Sequence, residues 1–175
     1  MELTLKKRMY KARTIFFFFC LSFQGMAQCD VPEFPKEAKF ETNTDYRSKD
    51  GMVKTYLDWL VITPLSTCVS EREQLNAFVL VWLSGHPDIR VDVKSDALPF
   101  FRAHPDLLFP MLHGMAIYEM VTPLQEKNQV DAHVAGIETV LDVVDSKKMS
   151  KTSSFKALKK LRRKGRLNEF VSSKI

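Results

Sequence analysis

Val130, Val134, Ile137, Leu141 and Val144 recur at steps of four, three, four and three residues. Only an α-helix brings side chains so spaced onto one face, since the period of two in a strand would scatter them over both sides. The same spacing runs through most of the chain. It predicts helices over about Asp45–Ile62, Ser70–Gly85, Pro105–Val121, Gln129–Asp145 and Ser154–Lys164. Pro64, Gly85 with Pro87, and Gly165 supply the stops. Val53, Tyr56, Leu57 and Leu60 form the first apolar stripe. In the second helix Leu75, Phe78, Val79, Trp82 and Leu83 form a stripe that Leu80 and Val81 extend almost all round, which predicts a central position. Leu107, Leu108, Met111, Leu112, Met115 and Tyr118 make the third equally apolar, with a kink expected at Pro110.

Local signals refine this outline. Ser70-Glu71-Arg72-Glu73 fits a capping box, in which hydroxyl and carboxylate each satisfy an orphan N–H. Ala132 and Gly136, one turn apart, admit close approach of a neighbouring helix. Leu167, Phe170 and Val171 suggest a final short turn. Ile89–Val93 alternates apolar and charged residues, which reads as a strand. A lone strand needs a partner, so pairing within the chain is expected, near residues 31–42, with an exposed outer edge. Residues 28–43, with two prolines and little periodicity, read as an extended lead-in. The expected fold is mostly α, a compact four- to five-helix domain with one short β element.

Charge divides the 175 residues into three blocks. Residues 1–27 carry Lys6, Lys7, Arg8, Lys11 and Arg13 against Glu2. Residues 146–175 hold eleven Lys and Arg against Glu169, a net +10, while 28–145 is net −9. The chain therefore reads as an acidic helical domain, 28–145, with a basic C-terminal tail, 146–175, that packs on the domain as a helix through Phe155, Leu158 and Leu161. Lys156, Lys159, Lys160, Arg162, Arg163, Lys164 and Arg166 are the candidate anion-binding residues. Their electrostatic partner is either the acidic body or an external polyanion.

Residues 1–27 have the form of a secretory signal. A basic stretch ends at Arg13, the apolar run Ile15–Phe23 follows, and Gly25-Met26-Ala27 places small residues for cleavage before Gln28. The run rises only about 14 Å as a helix, half a bilayer core, so a membrane anchor is disfavoured. A lipoprotein anchored at Cys29 is the alternative, but Gln28 precedes it where lipoprotein signals carry Gly, Ala or Ser. The expected location is periplasmic or secreted, with no transmembrane span in the mature chain. Cleavage leaves Cys29 and Cys68, a candidate disulfide in an oxidising compartment; two unpaired thiols are the other reading.

Signatures of chemistry are sparse. No two of the six glycines are close, which excludes a phosphate-binding loop, a dinucleotide fingerprint and a G-x-S-x-G elbow. His86, His104, His113 and His133 include no H-x-x-x-H pair. His104 with Asp106, or Asp131 with His133, would contribute only to a site assembled in three dimensions; otherwise His86 and His104 occupy turns before Pro87 and Pro105. Ser153-Ser154-Phe155-Lys156 matches S-x-x-K formally but lacks the companion elements of that family. Trp59 and Trp82 read as core anchors. No catalytic residue, cofactor or metal site is assigned.

Tyr56-Leu57-Asp58-Trp59-Leu60, Thr63-Pro64-Leu65, the run Gln74–Pro87, His104-Pro105-Asp106-Leu107-Leu108 and the closing Gly165-x-Leu167-x-x-Phe170-Val171 together resemble a group of small secreted helical proteins of Gram-negative bacteria. The resemblance implies export and a helical fold, and transfers no active site. The sequence favours an exported, non-catalytic protein that binds an envelope protein or an anionic surface. A hydrolase or metalloenzyme with a site formed only in the fold, and a polyanion or membrane-surface binder acting through the tail, are the alternatives. Export disfavours nucleic acid as a partner.

Overall fold

The computed structural model describes residues 29–35, 39–146 and 152–175. Residues 1–28, where a signal is expected, together with Lys147, Lys148 and Lys151 of the basic tail, lie outside the described residues. Among those described, the chain forms seven helices: α1 (Asn43–Arg47), α2 (Asp50–Ile62), α3 (Val69–Gly85), α4 (Leu108–Val121), α5 (Gln129–Ser146), α6 (Ser153–Arg163) and α7 (Leu167–Ser172). Short 3-10 turns at Ser95–Ala97, Pro105–Leu107 and Leu124–Glu126 connect them.

The mostly α fold is as the spacing demands, and the single β element is not formed among the described residues. Residues 89–94 form neither helix nor strand, with Lys94 extended, and pair with no strand among the described residues. The alternation has another cause. Ile89 is buried beside α2 and α3, and Val91 and Val93 pack on the core, while Arg90 points to solvent. One-sided burial alone produces a period of two, with or without a sheet. Part of the backbone demand is met by a side chain, because the Lys94 N–H donates to His133 Nε2 at 3.1 Å.

The first helix is divided rather than continuous. Thr42 caps α1 in a capping box with Asp45, whose carboxylate accepts from the Thr42 N–H at 2.7 Å, and a turn at Ser48–Lys49 precedes α2. The capping box expected at Ser70 is absent for a related reason. Cys68, in a left-handed conformation (φ 51°), starts α3 at Val69, so Ser70 already lies inside the helix. Pro110 sits in the first turn of α4, where a missing N–H forfeits no intrahelical bond. The irregularity expected there falls instead at the change from the Pro105–Leu107 3-10 turn to α4.

Helix α4 is central. Met111 and Met115 join the cluster built by Ile137, Val140, Leu141 and Val144 of α5 with Phe155, Leu158, Leu167 and Val171 of the tail. Ala116, Ile117 and Met120 face the cluster of Tyr56, Leu60, Phe78 and Trp82 on α2 and α3. The α4–α5 crossing needs glycine on both sides. A Cβ on Gly114 would lie 2.6 Å from the Ala135 carbonyl oxygen and 2.8 Å from Gly136 Cα. One on Gly136 would meet the Met111 carbonyl at 2.8 Å. Helix α3, by contrast, is peripheral: Leu80 and Val81 are 38% and 54% exposed, against the central position that its all-round apolarity suggests.

Cys29 and Cys68 form a disulfide, with Cα atoms 5.9 Å apart. It anchors the lead-in across α2, where Trp59 Nε1 donates to the Asp30 carbonyl at 2.6 Å and the Tyr56 hydroxyl to the Glu33 carbonyl at 2.7 Å.

Gly165 closes α6. Its φ of +65° lets its own N–H donate to the Arg162 carbonyl, and that of Arg166 to the Leu161 carbonyl, both at 3.0 Å. These two bonds are a Schellman motif. A Cβ at Gly165 would meet nothing within 4 Å, so Gly165→Ala carries only the conformational cost. It should lower stability by about 1 kcal/mol in urea unfolding; a loss too small to measure would mean that the left-handed turn does not set the end of α6.

Candidate functional site

Three rows of side chains along α6 have different fates. Phe155 and Leu158 are buried against α5 and the 98–107 segment, with Phe155 stacked on Phe100 at 5.8 Å between ring centres and His104 at 5.1 Å. This row places the tail on the domain as a helix. A second row turns toward α5. Arg162 Nη1 donates to Asp142 at 2.7 Å and lies 3.4 Å from Glu138, while Nη2 donates to Asp145 at 2.7 Å. Lys159 also pairs with Asp145. Glu138, Asp142 and Asp145 stand four and three residues apart, so the helical repeat stacks them in an acidic column beside Arg162. The hydrogen bond from Lys159, and then Arg162, holds the Asp145 carboxyl below its ordinary pKa against a smaller opposing effect of burial. Burial opposes the charge of Arg162, but its hydrogen bonds to Asp142 and Asp145 outweigh that and raise its pKa.

The third row faces outward. Lys156, Lys160, Arg163 and Lys164 are exposed and have no carboxylate partner among the described residues. A shallow concavity of about 650 Å³ lies along this side, lined by Lys156, Lys160 and Arg163 with Phe155 and the paired Lys159, Arg162 and Asp145. Arg166, the last of the expected anion-binding residues, is turned to Glu169 at 2.6 Å. Among the described residues the seven cations thus divide into three engaged by carboxylates and four that are not. The acidic column on α5 went unnoticed in the sequence, although its four-and-three spacing is the same signal that located the apolar seam.

His86 Nε2 donates to Asp50 at 3.1 Å and its Nδ1 accepts the Asp88 N–H at 3.1 Å, in the turn before Pro87. His133 is fully buried, its Nδ1 donating to the Gln129 carbonyl at 2.7 Å. Asp131 points elsewhere, to Asn128 and Asn168, so the two form no site. His104 packs on Phe155 before Pro105. His113, on α4, is 1% exposed and neither ring nitrogen has a hydrogen-bond partner. Burial first, then the charge of Arg72, lowers its pKa to about 3. Arg72 itself is buried and serves the C-terminus of α2, donating to the Leu60 carbonyl at 2.8 Å and the Thr63 carbonyl at 2.5 Å. This polar pair inside the core was not read from the sequence, because nothing in spacing distinguishes a histidine on a helix's buried face from one at its edge. Ser153 is exposed at the start of α6 and Lys156 belongs to the outer row, so the S-x-x-K match has no enclosed site around it.

Among the described residues no three His, Cys, Asp or Glu side chains gather into a metal-binding group. No helix among them is long and apolar enough to cross a membrane. Comparison with family models, curated proteins and solved structures gives no match.

Proposed function

We propose that this protein is exported and acts without catalysis, by binding another macromolecule in the cell envelope. One observation carries the reading. Helix α6 is fixed by its buried row and neutralised along its α5 flank, yet keeps four adjacent cations facing solvent. Lys156 and Lys160, and Lys160 and Lys164, are spaced one turn apart, where like charges repel. A helix that needed charge only for solubility would gain from interspersed carboxylates there, as α5 offers to Arg162. The signal-like segment 1–27 and the Cys29–Cys68 bridge support an oxidising, extracytoplasmic location. So does the resemblance to small secreted helical proteins of Gram-negative bacteria.

Affinity capture from a cell-envelope extract at low salt tests the reading. The protein should retain envelope components that a Lys156→Ala/Lys160→Ala/Arg163→Ala variant of equal thermal stability does not. Identical retention by both, or none by either, would overturn it.

A further inference from the structure

We infer that the outer face of α6 docks the protein onto an anionic bilayer surface, its cations meeting the phosphates of lipid headgroups. The inference rests on the macromolecular-binding reading and names its partner.

Shape is the first ground. Lys156, Lys160 and Arg163 lie on one side of α6, Lys164 caps its C-terminus, and the four span about 12 Å along the axis. They stand exposed in a row beside the shallow concavity, so an extended anionic surface meets several of them at once. Because Phe155 and Leu158 are committed to the core, the helix has no apolar face left to insert among acyl chains. Contact is therefore peripheral and electrostatic. Composition of the face is the second ground. Ala157 stands between the cations and Ser153 precedes them, and the aromatic ring of this helix, Phe155, is fully buried and offers nucleic-acid bases no stacking surface. Charge distribution is the third. The segment 152–175 carries eight Lys and Arg against Glu169, whereas 28–145 is net −9. An anionic surface attracts the side that carries the four outer cations and repels the acidic body, so it favours the orientation with that side downward. Engagement of Lys159, Arg162 and Arg166 by carboxylates leaves the attraction to the four outer cations.

Vesicle sedimentation with the full chain tests this, using phosphatidylcholine vesicles with and without about a third of phosphatidylglycerol. The segment 1–27, apolar at Ile15–Phe23 and basic at Lys6, Lys7, Arg8, Lys11 and Arg13, is common to the parent and to both variants below, so the loss in one variant against the other isolates α6. Binding should be confined to the anionic vesicles, and should vanish between about 50 mM and about 500 mM NaCl as screening shortens. Each cation near such a surface adds about fivefold to partitioning, so Lys156→Ala/Lys160→Ala/Arg163→Ala should weaken it by roughly a hundredfold. The charge-matched variant Lys39→Ala/Lys54→Ala/Arg90→Ala, exposed positions outside α6 and the segment packed on it, should lose far less. Millimolar inorganic phosphate should compete poorly, because a single ion does not span the row. Absence of binding to anionic vesicles, equal loss in the two triple variants, full competition by free phosphate, or tighter binding to duplex DNA would each overturn the inference. The vesicles contain no protein. Envelope capture that succeeds while vesicle binding fails therefore removes the lipid surface as partner and leaves the broader reading intact.

Discussion

Replacing Cys29 and Cys68 together by Ser should lower unfolding stability by about 4 kcal/mol. The bridge closes a loop across a sequence separation of 39 residues, and the unfolded chain without it regains the corresponding freedom. For a chain of this size that loss corresponds to a fall of roughly 10–15 °C in Tm. The native contacts of the lead-in do not replace the link. Asp30 and Glu33 contribute backbone carbonyls to Trp59 and Tyr56, and Val31, Phe34 and Phe40 lean on the α2–α3 cluster without completing it. The double variant avoids leaving one thiol free to form dimers. Urea titrations of the oxidised protein, the reduced protein and the double variant should place the last two together, well below the first. A difference under about 1 kcal/mol would mean that the loop stays closed in the unfolded ensemble by other means.

The helical skeleton was legible because its signals are local. The seam of α5 and the stops at Pro64 and Gly165 each depend on residues within a turn or two of one another, and each is found where it was expected. Errors arose where a local signal has two physical causes. Alternation at 89–93 marks burial on one side, and a strand is only one way to produce it. Continuous apolarity in α3 suggested enclosure, yet Leu80 and Val81 remain at the surface. The start of α3 was misplaced because a left-handed Cys68, not the hydroxyl of Ser70, opens the helix. The candidate surface was half legible. Composition identified its cations, but which of them pair depends on how α6 crosses α5, a tertiary relation that no spacing within the tail encodes.

Acid should destabilise the protein well above the pH at which carboxylates protonate, and His113 is the reason. Unfolded, the imidazole titrates at its ordinary value of 6.5; folded, burial and the nearby Arg72 charge lower this to about 3. The depressed folded value fixes the sign. The native state holds the ring neutral, so its contribution is complete above pH 6.5 and is lost progressively as pH falls toward 3. One pKa unit is worth about 1.4 kcal/mol, so stability should drop by about 2 kcal/mol between pH 7.5 and pH 5 from this residue alone. His113→Leu separates the cause from other acid effects. Leucine has similar volume and brings no polar atoms to a place where both ring nitrogens lack partners. At neutral pH the variant should equal or exceed the parent by about 1 kcal/mol, since an unmet buried polar group is itself costly. Between pH 7.5 and pH 5 its unfolding midpoint should stay nearly level while that of the parent falls. Parallel pH profiles for the two proteins would place the acid sensitivity elsewhere and show that water reaches His113 in the native state.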